Sequence, residues 1–200
     1  MEEGRQMIIL INGPPGSGKD TIGHIMYRLI PFSVKYKIAR PLKRSLQALL
    51  DINDKLWATY LDSEWKDTPF DAYPEAGTSP RQALIELSEG FAKRLFGQDI
   101  FGHIAVRAIK KLAAKHIIIT DTGFIEEVRP IIHEYRPANI RILQIERPGY
   151  SYANDSRDYL DIDALDMRLY WNTLDNAHDL DILEAQVKNV LIGWKLYDRT

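Results

Sequence analysis

Residues 13–21 read Gly-Pro-Pro-Gly-Ser-Gly-Lys-Asp-Thr and follow directly on the apolar run Met7-Ile8-Ile9-Leu10-Ile11. A short buried strand therefore runs into a glycine-rich turn. The turn opens a helix whose Ile22, Ile25, Met26 and Leu29 fall on one face. In that context Gly-x-x-x-x-Gly-Lys reads as a phosphate cradle rather than an ordinary strand–helix turn. Gly13, Gly16 and Gly18 let the backbone around Ser17 turn its N–H groups inward without Cβ clashes. The helix starting near Gly18 aims its positive dipole end at the bound anion. Lys19 then supplies a mobile point charge for the β- and γ-phosphates.

The residue after the lysine is Asp20, where a Ser or Thr commonly holds Mg²⁺. A carboxylate beside a triphosphate repels it unless a divalent cation lies between them. Asp20 is therefore expected to be a direct or water-mediated Mg²⁺ partner, a role compatible with capping the helix N-terminus. Thr21 can offer its hydroxyl to an α-phosphate.

Two hundred residues with 45% hydrophobic content suit one domain with a full core and a small inserted lobe. The chain has no cysteine, which excludes disulfides, zinc–thiolate sites and thiol nucleophiles. Its apolar runs are too short to span a bilayer, and Met1-Glu2-Glu3-Gly4-Arg5 lacks a signal-peptide pattern, so a cytoplasmic location and no membrane partner are expected. A formal net charge of −2 leaves no footprint for stable nucleic-acid binding. The histidines lack metal-ligand spacing, and His116 reads as structural.

Beyond the first βα unit, residues 34–38 alternate like a half-exposed strand. Arg40-Pro41-Leu42-Lys43 opens a helix with Leu42, Leu46, Leu49 and Leu50 as its apolar stripe. Residues 51–80, broken by Pro69, Pro74, Gly77 and Pro80, read as an irregular excursion. Thr78-Ser79-Pro80 caps a helix over 81–95 with Leu84, Leu87, Phe91 and Leu95 inward, and 101–112 reads as another helix. His116-Ile117-Ile118-Ile119-Thr120 is a continuous apolar strand ending in Asp121, as in the centre of a covered parallel sheet. A helix over 125–135 and a strand over 140–145 follow. Residues 146–166 are charged and turn-rich, like a mobile loop or short lid. A strand over 169–174 and a helix capped by Asp179 close the pattern, with Leu180, Leu183, Val187, Val190, Leu191 and Trp194 on the buried side.

Strands alternating with helices give an α/β fold with a parallel sheet, and ligands sit at the carboxyl ends of its strands. Both the 13–21 loop and Asp121 emerge there. Asp121 is read as a carboxylate that orients the metal or accepts a proton, in preference to a helix cap. Phosphoryl transfer also needs positive charge around the moving group. The candidates are Arg147 and Arg157 flanking the lid-like stretch, Arg81 at a helix start, and Arg40 and Lys43 after the second strand. Arg157 stands in Asn154-Asp155-Ser156-Arg157-Asp158-Tyr159, a poor core segment, so it has little structural reason to be held in place.

These residues resemble a family, the bacteriophage-type deoxynucleoside monophosphate kinases of the P-loop kinase group. The likeness rests on Gly-Ser-Gly-Lys-Asp-Thr at 16–21, Pro41-Leu42-Lys43, Ser79-Pro80-Arg81-Gln82-Ala83-Leu84, Gly97-Gln98-Asp99-Ile100-Phe101 and Asp121-Thr122-Gly123-Phe124-Ile125-Glu126-Glu127. It covers about residues 7–192. It implies a three-layer P-loop kinase-like fold with a five-stranded parallel sheet, a helical acceptor-binding region over about 40–112 and a lid over about 146–163. It also implies phosphoryl transfer from ATP to a nucleoside monophosphate, with Mg²⁺. Arg81, together with Arg40, Lys43 and Phe101, would then serve the acceptor, and Asn176 would lie near the ATP base. The clearest departure is Gly123, where the family pattern has an arginine, a loss that Arg129 or Arg157 could compensate.

The resulting expectation is a kinase with small-molecule nucleotides as partners, homodimerisation being left open. Lys19, Asp121, Arg147 and Arg157 carry the chemistry, and Asp20 and Asp121 the metal. Competing expectations are a kinase acting on a modified base in DNA, other acceptors such as phosphomevalonate or dephospho-coenzyme A, and a non-catalytic nucleotide-binding switch.

Overall fold

Five short strands rich in β-branched residues pair side by side, all parallel, in the order Ser33–Tyr36, His116–Thr122, Met7–Asn12, Ile140–Glu146 and Trp171–Asp175. They are β1 (Met7–Asn12), β2 (Ser33–Tyr36), β3 (His116–Thr122), β4 (Ile140–Glu146) and β5 (Trp171–Asp175). The helices are α1 (Lys19–Leu29), α2 (Arg40–Leu49), α3 (Asp54–Tyr60), α4 (Pro80–Ile85), α5 (Arg94–Phe96), α6 (Ile100–Ile109), α7 (Ile125–Tyr135) and α8 (Leu180–Gly193). This computed structural model describes residues 6–62, 64–153 and 155–198. The N-terminal pentapeptide and Asn154 of the sequence reading lie outside the described residues.

The chain divides into two units. One takes the chain up to Ile38 and from Phe101 onward, and the other is Ala39–Ile100. In the first, strand alternation sends Ile9, Ile11, Ile118, Leu143, Ile145 and Leu174 to one face of the sheet. There they pack on Ile22, Ile25 and Met26 of α1 and on Leu183, Val187 and Leu191 of α8. Their neighbours Ile8, Leu10, Ile117, Ile119, Ile140 and Ile142 point the other way and are also fully buried. A strand buried on both faces reads as a continuous apolar run, which is why 116–120 shows no alternation. Burial of each such side chain contributes about 1.5–3 kcal/mol relative to exposure. The last helix begins as the sequence suggests, with the Asp179 carboxylate accepting from Ile182 N at 3.0 Å. Leu180, expected inward, is 59% exposed.

The second unit is more ordered than an irregular excursion. Leu46, Ile52, Trp57, Tyr60 and Phe70 form a small core of their own, with the rings of Tyr60 and Phe70 edge to face at 4.8 Å. Prolines broke the helical pattern on paper, but the aromatic residues between them supply the burial. The Ser79 cap is present in full: its side chain accepts from Gln82 N while the Gln82 side chain accepts from Ser79 N. The helix it starts is not a single α-helix. Glu86–Lys93 is π-helical, and each i→i+5 turn takes more residues than an α-turn. Leu84 and Leu87 therefore pack inward as expected, while Phe91 and Leu95 rotate out to 51% and 54% exposure. Leu49, assigned to the apolar stripe of α2, is also exposed.

Candidate active site

Parallel pairing puts the carboxyl ends of all five strands on one edge. That edge gathers the 13–18 loop after β1, Lys37 and Ile38 after β2, Gly123 after β3, Arg147 after β4 and Asn176 after β5. The order reverses at β1, whose neighbours β3 and β4 lie on either side, and such switch points are where open α/β sheets bind ligands.

The loop turns through Gly16 (φ 77°) and Gly18 (φ 92°), left-handed conformations that a side chain would oppose. It is held from several directions. Asn176 Nδ2 donates to Ser17 O at 2.8 Å, and Arg147 Nη1 donates to Gly16 O at 2.8 Å. The Arg147 guanidinium also lies 4.7 Å from the ring centre of Tyr150, and that ring covers Gly16. Arg147 and Asn176 thus both reach the loop, as loop-holding contacts to main-chain oxygens. Ser17 Oγ is buried without a hydrogen-bond partner, a donor that an anion in the loop would satisfy.

Lys19 Nζ donates to Gly13 O at 2.5 Å and Pro14 O at 2.6 Å. Burial, and then the positive charge of Arg157, push its pKa down to about 8. An anion among these groups favours the charged form and raises that pKa.

Asp20 does not cap α1, whose N-cap Gly18 receives no side-chain hydrogen bond. Its Oδ1 instead accepts from the ammonium of Lys37 and from Thr120 Oγ1, the latter at 2.6 Å. Burial raises the carboxyl pKa, but those two hydrogen bonds outweigh it and hold the group below its ordinary value. Gly23, one turn along α1, makes room for this contact, because a Cβ there would sit 2.4 Å from the Thr120 methyl. Lys37 and Thr120 were not singled out in the sequence. Position alone could have found Lys37, the first residue after β2 and so on the ligand edge.

Asp121 is not a helix cap either. Its Oδ1 accepts from Ile38 N at 2.9 Å, and the residue at the N-cap of α7 is Phe124. The pairing of β3 with β1 shifts register just before Thr122, and there Thr120 turns to Asp20 on α1 while Asp121 turns to the chain after β2. Among the described residues no group of three or more His, Asp or Glu could hold a metal ion. Mg²⁺ commonly uses one or two carboxylates, waters and substrate phosphates. The ionised Asp20 fits that pattern: both its hydrogen bonds fall on Oδ1, leaving Oδ2 for a cation or its water.

Arg157 requires a correction. It was expected to lack structural support, yet it is among the better-held side chains at this edge. Its Nε and Nη2 donate to the Asp155 carboxylate at 2.8 and 2.7 Å, and its backbone N donates to Asp155 Oδ1 at 3.0 Å. That hydrogen-bonded carboxylate raises its pKa, and Asp121 adds to the effect. The stem of Arg157 lies against Gly123, whose backbone O accepts from Asp158 N at 3.1 Å. Arg129, the alternative compensating cation, is exposed on α7.

Among the described residues the lid-like stretch has no repetitive structure between the end of β4 and the short turn at Arg168–Tyr170, but it is pinned to the sheet. Asn12 Nδ2 reaches the Tyr152 hydroxyl at 2.9 Å and Asp158 O at 3.1 Å, and Asn12 Oδ1 accepts from Leu160 N at 2.9 Å. Gln144 Nε2 donates to Leu160 O at 2.8 Å, and Leu160, Ile162, Leu165 and Met167 are buried. Burial keeps the Tyr152 hydroxyl well above its ordinary pKa, so it stays protonated.

The expected acceptor residues divide between the units. Arg40, Lys43 and Arg81 belong to the second, where Arg81 Nε donates to Asp67 Oδ1 at 2.5 Å. Phe101 opens the sheet unit's α6 as a core side chain, 5% exposed. Thr21 is exposed on the first turn of α1.

A parallel sheet in the order β2-β3-β1-β4-β5, with a glycine-rich loop between its central strand and α1, defines an α/β protein of the three-layer P-loop kinase-like architecture. No family model matches the chain, and no curated protein matches it. Its similarity to solved structures is distant. A Thermus thermophilus protein is 16% identical at TM-score 0.47, over 95% of this chain and 98% of that one. A thymidylate kinase from Candida albicans is 14% identical at TM-score 0.47, over 97% and 94%. A gluconokinase from Sinorhizobium meliloti is 11% identical at TM-score 0.45, over 96% and 95%. No helix among the described residues is long and apolar enough to cross a membrane.

Proposed function

We propose that this chain transfers the γ-phosphoryl group of ATP to a (deoxy)nucleoside monophosphate, giving ADP and the diphosphate. One observation carries the reading beyond nucleotide binding. A second cation, Arg157, comes from a distant segment, is held on both oxygens of Asp155 and lies against Gly123 at the strand-end edge that carries the loop, where its charge helps to lower the Lys19 pKa. Holding a nucleotide needs only the loop, whereas stabilising charge on a moving phosphoryl group needs cations converging from more than one side.

In this reading the loop amides and Lys19 hold the β- and γ-phosphates, and Asn176 and Arg147 keep the loop in shape. Mg²⁺, when bound, would neutralise phosphate charge, with Asp20 as its carboxylate. Asp121, near the Arg157 charge, orients the transfer or receives the acceptor's proton. Arg157 faces the transferring group. Arg81, with Arg40 and Lys43, is assigned the acceptor phosphate, and Arg81 must exchange Asp67 for it. Phe101, a buried core side chain, is not assigned to the acceptor.

The deciding experiment is ADP release from Mg·ATP against a panel of ribo- and deoxynucleoside monophosphates, with oligonucleotides as a further arm. Turnover that depends on a monophosphate is the expected result. ATP binding without turnover on any acceptor would reduce the protein to a nucleotide-binding switch.

A further inference from the structure

Gly123 is a glycine whose backbone does not demand one, since its φ lies outside the left-handed region. What it lacks is room. A Cβ built there would stand 2.7 Å from both Cβ and Cγ of Arg157 and 2.8 Å from its Cδ. Those are three consecutive stem carbons, held in place by neighbouring hydrogen bonds, so the contact cannot be relieved by swinging a free side-chain end. Asp158 N donates to Gly123 O at 3.1 Å, and Asp158 O lies 3.1 Å from the buried amide of Asn12. The far end of the stem is fixed by Asp155, whose side chain is 10% exposed and takes the guanidinium on two oxygens. A planar fork held on both oxygens has little freedom to turn.

We propose that Gly123 and Asp155 are positioning residues for Arg157: the bare strand end sets the path of the stem, and the carboxylate sets the aim of the guanidinium. The cation at this edge is thereby prepared by the chain itself rather than recruited by substrate. What Arg157 does to a phosphoryl group rests on the function proposed above, but its docking does not.

Two readouts test the idea without turnover. In nitrogen-15 spectra at neutral pH without added nucleotide, the Arg157 Nε–H should give a resolved, exchange-protected signal. Gly123→Ala and Asp155→Asn should each abolish it. Gly123→Ala should also lower the melting temperature, and adding Arg157→Gly, which removes the stem, should restore it. That double variant keeps the test alive even where Gly123→Ala alone does not fold. In kinetics, Gly123→Ala and Asp155→Asn should each lower kcat by about 10- to 100-fold with little change in acceptor KM, as expected for a misplaced group. Combining either with Arg157→Gly should cost no more than Arg157→Gly alone. An Arg157 signal that survives Gly123→Ala, a melting temperature not rescued by Arg157→Gly, or additive kinetic losses would each overturn the proposal. Absence of turnover on every acceptor would count against the kinase reading alone, leaving the spectra and melting temperatures to judge the positioning.

Discussion

At the scale of single residues, Lys19 links structure to a measurable pH effect. Its pKa of about 8 means that the protein alone loses the charge as pH rises through that value. A bound polyphosphate favours the ammonium, so its presence raises the pKa. Nucleotide binding should therefore take up protons above about pH 8, and affinity should fall as pH rises further. Calorimetry at pH 8.5 in two buffers of different ionisation enthalpy reads the uptake directly, and proton release would contradict it. Lys19→Ala should retain the fold and lose turnover by roughly a hundredfold or more, because the amine bonds loop carbonyls and not the apolar core. Asp20→Asn should raise the Mg²⁺ concentration needed for half-maximal rate. An unchanged requirement would leave Asp20 with the structural task of holding Lys37 and Thr120.

At the scale of elements, the segment over 146–167 owes its position to one buried amide more than to any helix or strand. Asn12→Ala would strip the Leu160 N–H of its acceptor and loosen the contacts to Tyr152 and Asp158. Leaving buried polar groups unpaired costs about 1–3 kcal/mol each. Chemical denaturation should show a loss of that order, and limited proteolysis should begin to cut within 147–160. Intact resistance to protease would mean that the apolar anchors Leu160, Ile162 and Met167 suffice. The same network explains the limits of reading this stretch from its sequence. Its composition is that of a loop, and its burial depends on Asn12 and Gln144, which precede Leu160 by 148 and 16 residues. The π-helical Glu86–Lys93 was invisible for a different reason: a 3.6-residue period counts apolar positions, not the hydrogen-bond step that carries them.

At the scale of the whole molecule, the phosphoryl-transfer reading separates the roles of two arginines. Arg157→Ala should cut kcat by roughly 10² to 10³ with modest effects on KM, since its charge serves the transition state. Arg81→Ala should mainly raise the acceptor KM, since its assigned partner is the ground-state phosphate. Steady-state kinetics with the best monophosphate acceptor measures both. Equal effects of the two variants on KM alone would remove Arg157 from the chemistry.

The chain by itself determined the α/β class, the strand–loop–helix of residues 7–29, the central strand 116–120 and the caps at Ser79 and Asp179. Each of these is a local matter: hydrophobic period, glycine placement, or a short side chain three residues from the N–H that it caps. The tertiary structure decided the partners of the charged groups. Asp20 faces Lys37 and Thr120 because parallel pairing brings β2 and β3 beside α1. Arg157 is held because a bare glycine at the end of β3 leaves its stem a path. Charge and size are written in each residue, but which charges meet depends on strand order, and strand order is set only when the sheet closes its core.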